Sequence, residues 1–521
     1  MNETSTPRTI GAITAFQAAI RPGHTAIVCS GREVSYEQLH LASNRTANAL
    51  LAAGLCRGAR VAYLGRESEH YYDIVFGCAK SATVLVPVNW RLTPPEVAHI
   101  LRDSHTELLF VEREFVGAVE QVRAELPRLR TVVELGPAEL GAPGFAAWKR
   151  GQPEECPDPG VGPGDESVQL YTSGTTGLPK GVVLPHRSFF TFRDGLTEHG
   201  LDWLDWRPED RSLVGLPGLA TAGLSWAVQG FAAGVTNVVM PMFVSQEAVR
   251  LIRDLGITIT FVAPAMLGMM LAEPIARAEA FASMRKVAYS GAPITESLLH
   301  RCFETIGGEF VQAYAATEAG NAVTVLPPAD HVRGSRLLAS AGRACPGVEL
   351  RITDNGGRPL PTGEIGQVWV RGAAVMLGYW NLPEATTRTL VDGWLRMGDT
   401  GYLDAGGYLF LCDRIDDTII VAGQNVYPVE VEKALGDHPA VTDVAVIGVP
   451  HERWGEAVHA YVVLRPGDTV KPRELMLSLR GRLADYKIPT GYEFVEQIPR
   501  NPTGKVVRRI LRERFRAAGV S

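Results

Sequence analysis

The stretch Tyr171-Thr-Ser-Gly-Thr-Thr-Gly-Leu-Pro-Lys180, YTSGTTGLPK, decides how this chain is read. Three glycine or proline pivots, five hydroxyls and one lysine share these ten residues. The flanks, residues 167–171 and 181–184, are apolar and β-prone, which predicts a loop at the tip of two strands. Glycine lets backbone N–H groups converge on one anion, the hydroxyls add donors, and Lys180 adds positive charge. Such a set suits a polyphosphate. It is not a Walker A loop, in which glycine directly precedes the lysine and Ser or Thr follows, because here the lysine follows Leu-Pro. A hydroxyl-rich hairpin without a ligand is the competing reading of the decapeptide taken alone.

Working outward, the chain has 521 residues and is 46% hydrophobic, more than one hydrophobic core usually supports, so at least two domains are expected. Its 51 basic and 57 acidic residues are spread along the chain and give a net charge of -6, which points away from nucleic acid and anionic lipid and toward small-molecule partners. The seven cysteines are isolated and lack metal-ligand spacing, as expected of reduced thiols in a cytoplasmic protein. The opening residues MNETSTPRTIGAITAF lack a basic segment leading into a long apolar one, and no window of about 18 apolar residues occurs, so neither export nor a membrane span is expected. The final residues carry no peroxisomal address or lipidation motif.

Short β-branched runs at residues 60–64, 106–111, 257–262, 286–289 and 309–312 alternate with helical patterns. The alternation predicts an α/β fold with mainly parallel sheets in a large N-terminal domain, residues 1–415. Near residue 349 the texture changes to apolar/polar alternation with glycine turns, as in VELRITDNGGRPL and GEIGQVWVRG, which predicts a β subdomain over about 340–415. Strands are then expected at 418–421, 443–449 and 459–464 and helices at 428–435 and 472–483, making residues 416–521 a small α+β domain. Val507, Ile510, Leu511 and Phe515 fall at helical spacing, predicting a terminal amphipathic helix packed on that domain.

Further segments follow the decapeptide in order: Tyr289-Ser-Gly-Ala-Pro-Ile294, Gln312-Ala-Tyr-Ala-Ala-Thr-Glu318, Gly363-Glu-Ile-Gly366, Arg371-Gly372, Gly393-Trp-Leu-Arg-Met-Gly-Asp399-Thr-Gly-Tyr402, Asp413-Arg414-Ile-Asp416-Asp417, Gly423-Gln-Asn-Val-Tyr-Pro428 and Pro502-Thr-Gly-Lys505. This ordered set, from about residue 170 to 505, resembles the motifs of the adenylate-forming superfamily, which includes acyl-CoA synthetases, peptide-synthetase adenylation domains and firefly luciferase. The first 170 residues are compatible with the resemblance and add nothing to it.

The resemblance implies two half-reactions. A carboxylate attacks the α-phosphorus of ATP to give acyl-AMP and pyrophosphate, and a thiol, that of coenzyme A in the acyl-CoA ligase branch, then displaces AMP. Phosphoryl transfer is catalysed largely by positioning and by neutralising oxygens. By resemblance, Thr172, Ser173, Gly174, Thr175, Thr176, Gly177 and Lys180 hold the outer phosphates. Ala292, Pro293, Gln312, Ala313 and Tyr314 lie on the adenine side, Thr317 donates to the α-phosphate, and Glu318 is an oxygen ligand for Mg²⁺. Asp399 accepts the ribose hydroxyls and Arg414 donates to ribose or phosphate. Lys505 bridges carboxylate and phosphate during adenylation, Asp416 is the hinge on which a mobile C-terminal domain swivels, and Gly423 then lines the pantetheine path.

Two positions depart from the family pattern. Ala220 stands where a histidine is common, and Ala315 where glycine is usual. An imidazole can donate to an anion and a methyl group cannot. Either these small residues enlarge the acyl pocket, or adenylation is impaired and the enzyme completes thioesters from acyl-AMP supplied by a partner enzyme. The resemblance lines that pocket with Ala220, Gly223, Leu224, Ala227, residues 261–264, Ser290, Gly291 and Ala315, which are mostly small and apolar and lack a cation for a second carboxylate. A hydrophobic or bulky acid is therefore expected, activated for transfer to CoA. A ligase loading a separate acyl-carrier protein is the nearest alternative. A regulatory nucleotide-binding protein is disfavoured because binding alone does not require Lys505.

Overall fold

A computed structural model describes residues 6–136, 144–172, 179–414, 417, 419–421, 424–451, 454–480, 482–483, 485–500 and 506–518. The chain forms two compact units, one of Met1–Leu338, Gly342–Glu349 and Val370–Leu395, the other of Ala339–Ala341, Leu350–Trp369 and Arg396–Ser521.

In the first unit, Arg60–Leu64 and Val84–Val88 are buried along their whole length, and strands buried on both faces are the mark of the centre of a parallel sheet. They lie within a seven-stranded sheet ordered Gly378–Tyr379, Lys180–Pro185, Glu166–Thr172, Val84–Val88, Arg60–Leu64, Leu108–Glu112 and Thr131–Leu135. The ladder is parallel from Glu166–Thr172 onward and antiparallel at the other edge. Helix Pro94–Asp103 covers it, burying Val97, Ile100 and Leu101 against Ala62, Val86 and Leu109. That helix begins where its sequence says it should: Pro94 fixes the first turn, and Glu96 accepts from the Thr93 backbone N–H at 2.8 Å.

A nine-stranded sheet fills the rest of the unit, ordered Arg343–Ala344, Ala322–Leu326, Glu309–Ala315, Lys286–Ser290, Ile259–Val262, Arg211–Val214, Thr236–Val239, Thr25–Cys29 and Arg32–Ser35. Its interior pairs are parallel and its edges antiparallel. The expected α/β class with parallel sheets in a large N-terminal part and a smaller C-terminal one is what the chain adopts.

In the second unit, residues 399–403 of strand Trp394–Leu403 pair antiparallel with Leu409–Arg414. The unit also holds a sheet ordered Gln424–Val426, Ile419–Val421, Gly455–Leu464 and Val441–His451, with Gly491–Phe494 alongside Gly455–Leu464. Terminal helix Arg508–Ala517 buries Leu511 and Phe515 against Ala445, Ile447 and Tyr461 of the same unit. Ile510, expected on that apolar face, is 38% exposed, because the seam follows the i, i+4 pair 511/515 and position 510 turns away from it. The helix expected over 472–483 stops at Leu479, where Arg480 turns extended (φ -63°, ψ 135°) and Gly481 follows in sequence. No helix among the described residues is long and apolar enough to cross a membrane. None of the seven cysteines forms a disulfide.

Candidate active site

The strands flanking the opening decapeptide pair antiparallel, with Thr172 opposite Lys180. Ser173, Gly174, Thr175, Thr176 and Gly177 lie outside the described residues. Both ends of the loop are anchored by helix Pro94–Asp103. The Tyr171 hydroxyl donates to Asp103 Oδ2 at 2.6 Å, and His99 Nε2 donates to the Pro179 carbonyl at 3.1 Å, since a carbonyl can only accept.

Around Tyr379 the structure gathers two residues that are far apart in sequence. The Lys180 ammonium sits 4.9 Å from the centroid of the Tyr379 ring, and the Tyr379 hydroxyl donates to Glu318 Oε1 at 2.9 Å. A cation thus stands over one aromatic ring whose hydroxyl grips a carboxylate. Burial, and next the nearby Glu318 charge, push the Tyr379 hydroxyl well above the usual phenol range, so it remains a donor. The backbone fixes the arrangement. Trp380 N–H donates to Gly181 O at 2.7 Å, Leu377 N–H to Val183 O at 2.9 Å, and Met376 N–H to Glu318 O at 2.9 Å. Gly320 has φ 75°, and a Cβ there would lie 2.0 Å from the Ala374 carbonyl oxygen, so glycine is required for this close approach. Glu318 keeps its second carboxylate oxygen as a hard donor suited to Mg²⁺.

Thr317 is met from the other side by helix Thr221–Ala233. The Thr221 hydroxyl donates to the Thr317 hydroxyl at 3.0 Å. Ala220 caps that helix with extended backbone and no side-chain hydrogen bond, and its side is exposed. The helix N-terminus, a locus of partial positive charge, therefore lies beside Thr317. Gly223 is pressed on the preceding turn: a Cβ there would lie 2.2 Å from the Pro217 carbonyl oxygen and 2.4 Å from that of Leu216. Its missing side chain lets the helix begin that close to the loop.

Ser290 pairs with Ala313 and Tyr289 with Gln312 in the parallel ladder, which brings the two adenine-side segments together at strand ends. Gly291 follows with φ 93°, and Gly291 and Pro293 are exposed while Ala292 and Tyr314 are half-buried. Ala315 is exposed at a register shift in the ladder, and its φ is not positive, so the methyl group strains nothing in the backbone. Leu224 and Ala227 are wholly buried in the helix behind Ala220. The same helix sets Trp226 at a tilt against Phe261, ring centroids 5.3 Å apart, and ties the Trp226 indole N–H to Ser212 Oγ at 2.9 Å.

In the second unit, Asp399 and Arg414 stand directly opposite in the antiparallel ladder, so two residues expected to serve the ribose are cross-strand neighbours. Asp416, Gly423 and Lys505 lie outside the described residues. Next to that segment, Asp417 accepts from Arg512 at 2.8 Å, while Arg508 donates to Glu432 at 2.6 Å, tying the terminal helix to the residue after Asp416. Sequence reading gave no role to Tyr379, to Thr221 or to Asp417, the last quoted only as part of a motif. Tyr379 had a signal, lying seven residues beyond Arg371-Gly372 in the stretch AAVMLGYW, whereas the other two become visible only through their partners.

Residues 15–380 match the AMP-binding enzyme family and residues 430–505 the AMP-binding enzyme C-terminal domain. A fatty acid–[acyl-carrier-protein] ligase, ScoC of Streptomyces coeruleorubidus, is 53% identical over 98% of this chain and 96% of its own length. An indoleacetate–CoA ligase of Aromatoleum aromaticum is 36% identical over 95% of this chain and 96% of its own. Among solved structures, the anthranilate CoA ligase AuaEII in complex with anthranoyl-AMP superposes with a TM-score of 0.88 at 28% identity, covering 100% of both chains.

Proposed function

Because the chain belongs to the AMP-binding enzyme family, whose named relatives here are acid–thiol ligases, we propose that it activates a fatty or similarly hydrophobic carboxylic acid as its acyl adenylate and passes the acyl group to the pantetheine thiol of an acyl-carrier protein. The observation that carries this acceptor is the 53% identity, across 98% of the chain, with a fatty acid–[acyl-carrier-protein] ligase. Coenzyme A is the second reading, favoured by the likeness to the indoleacetate–CoA ligase at 36% identity.

In the first half-reaction a carboxylate oxygen bonds to the α-phosphorus of ATP and the bond to pyrophosphate breaks. In the second, the thiol sulfur bonds to the acyl carbon, the carbon–oxygen bond to AMP breaks, and the thiol proton passes to solvent. Negative charge on phosphate oxygens is what must be stabilised, and fixed donors do this without reorganising. The reading gives that task to Lys180, to the Thr317 hydroxyl steadied by Thr221, and to the N-terminal N–H groups of helix Thr221–Ala233. Glu318 would hold Mg²⁺, which when bound would add further neutralisation of the phosphates. Tyr379 holds Glu318 through its hydroxyl and carries Lys180 over its ring. Asp399, Arg414, Lys505, Asp416 and Gly423 keep, within this proposal, the roles that the family motifs give them. The small residues Ala220 and Ala315 make room for the acyl group, and the enzyme makes its own adenylate.

Purified protein given ATP, Mg²⁺ and a panel of fatty acids should release pyrophosphate without a second enzyme. Adding holo acyl-carrier protein or CoA should then give thioester, with the carrier preferred. Pyrophosphate release only on addition of another enzyme would favour the adenylation-impaired reading, and faster thioester formation on CoA would favour the second acceptor.

A further inference from the structure

The turn Leu216–Ala220, which launches the helix facing Thr317, is held from beneath by a side chain with no part in the motifs above. Glu67 is 3% exposed in the connection between Arg60–Leu64 and helix Glu69–Lys80. Its Oε2 accepts from the Gly218 backbone N–H at 2.8 Å, and its Oε1 accepts from the Tyr72 hydroxyl. The Gly218 carbonyl in turn accepts from the Tyr71 hydroxyl at 2.6 Å. Both backbone polar groups of one residue, Gly218, are thus taken by one short segment, residues 67–72. A Cβ on Gly218 would lie 2.8 Å from Glu67 Oε1 and 3.0 Å from the Tyr72 hydroxyl, so the turn approaches the clamp as closely as glycine allows. Beyond Gly218, Ala220 N–H closes the turn on the Pro217 carbonyl at 3.1 Å, and Thr221 reaches Thr317.

We propose that Glu67 is a positioning residue of the ligase: it fixes the Gly218 peptide, and through it the N-terminus of helix Thr221–Ala233 and the Thr221–Thr317 hydroxyl pair, at the place where adenylation occurs. The inference rests on the proposed adenylation. A carboxylate serves this purpose because it accepts from two donors at once, one on each oxygen, in a space that excludes water. The titratable groups facing it are tyrosines: Tyr71 and Tyr72 from the helix and Tyr63 from Arg60–Leu64, all held far above their ordinary value by burial. No cation pairs with Glu67 among the described residues. Burial raises the Glu67 carboxyl to about 7 against the pull of Tyr72 and Gly218, so the clamp passes between neutral and charged near neutral pH.

The test compares wild type with E67A, E67Q and Y71F by two readouts. One is pyrophosphate release across pH, and the other is hydrogen exchange of the peptide covering residues 213–224. E67A should lower kcat by at least about tenfold with little change in the KM for ATP, because a displaced turn misplaces donors to the transition state. The 213–224 segment should also exchange faster. E67Q keeps an acceptor for Gly218 and should recover most of kcat while losing the component of the pH profile centred near 7. Y71F should show a smaller effect of the same kind. Folded E67A or Y71F with wild-type kcat and unchanged exchange at 213–224 would overturn the proposal, as would E67Q no better than E67A. If wild type itself releases no pyrophosphate with any acid, the proposed function fails, and the exchange arm still decides whether Glu67 holds the turn.

Discussion

The Thr221 hydroxyl donates to the Thr317 hydroxyl at 3.0 Å, joining the first residue of a helix to a residue 96 positions later in the motif Tyr314 to Glu318. Thr317 is therefore both aimed and partly satisfied before any ligand arrives. T317A is expected to lower adenylation by about 10²-fold, as removal of one preorganised donor does elsewhere. T221A should cost less, about tenfold, since it frees the Thr317 hydroxyl without deleting it. Pyrophosphate release at saturating ATP measures both, and a larger loss in T221A than in T317A would contradict this order.

Tyr379 links Glu318 to Lys180 through a hydroxyl and a ring face. Y379F keeps the ring and removes the hydrogen bond. It should raise the Mg²⁺ concentration needed for half-maximal activity several-fold, about one charge-assisted hydrogen bond's worth, while leaving the fold intact. Titration of activity with Mg²⁺ at fixed ATP checks this, and an unchanged curve would remove Tyr379 from the site.

Gly223 tests the packing that starts the helix. A Cβ at 2.2 Å from a carbonyl oxygen cannot be accommodated without moving backbone. G223A should destabilise the first unit by about 1–3 kcal/mol in denaturant unfolding and reduce adenylation with it. Unchanged stability would mean that the turn at Leu216–Pro217 yields easily.

Two buried groups push the pH dependence of stability in opposite directions. His186 accepts from the Ile10 N–H at 3.3 Å, and burial lowers its imidazole to about 4. Its contribution is present above about 6.5, the unfolded value, and is lost as pH falls through the window from there to the folded value. Glu67 has the reverse sign. Its carboxyl is raised to about 7, so its contribution is present below the ordinary carboxylate value and is lost as pH rises toward 7. H186N should flatten the acid limb of the stability curve and E67Q the neutral one, as read by urea midpoints across pH. Identical slopes in variant and wild type would refute either assignment.

A220H addresses the departure from the family pattern. The helix N-terminus and Thr221 already supply donors beside Thr317, so an added imidazole should raise pyrophosphate release by less than about tenfold. A greater gain would support adenylation impaired by the missing histidine.

The α/β class was legible in the sequence because strands such as 60–64 and 286–290 announce themselves as apolar β-branched runs, and the motifs fall at their ends. Thr172 opposite Lys180, and Asp399 opposite Arg414, follow from a local pattern in which motif residues occupy neighbouring strands. The Glu318–Tyr379–Lys180 group was only half legible. Tyr379 is joined to Glu318 across 61 positions by a chain path that no periodicity encodes. Glu67 was invisible for a sharper reason. A glutamate in a short connection reads as a solvated surface residue, and its burial depends on Gly218, 151 positions away, leaving room for it. Helix ends misjudged at Leu479, and the exposure of Ile510, show the same limit, since spacing gives a period and tertiary contacts choose the face.

The central claim is that a carboxylic acid is activated here by attack on the α-phosphorus of ATP. Supplying a fatty acid whose carboxyl carries heavy oxygen, with ATP, Mg²⁺ and holo acyl-carrier protein, and weighing the AMP released tests it most directly. The account predicts that one heavy oxygen appears in AMP for each thioester formed. Thioester formed while AMP stays unlabelled, or label recovered in inorganic phosphate instead, would contradict it.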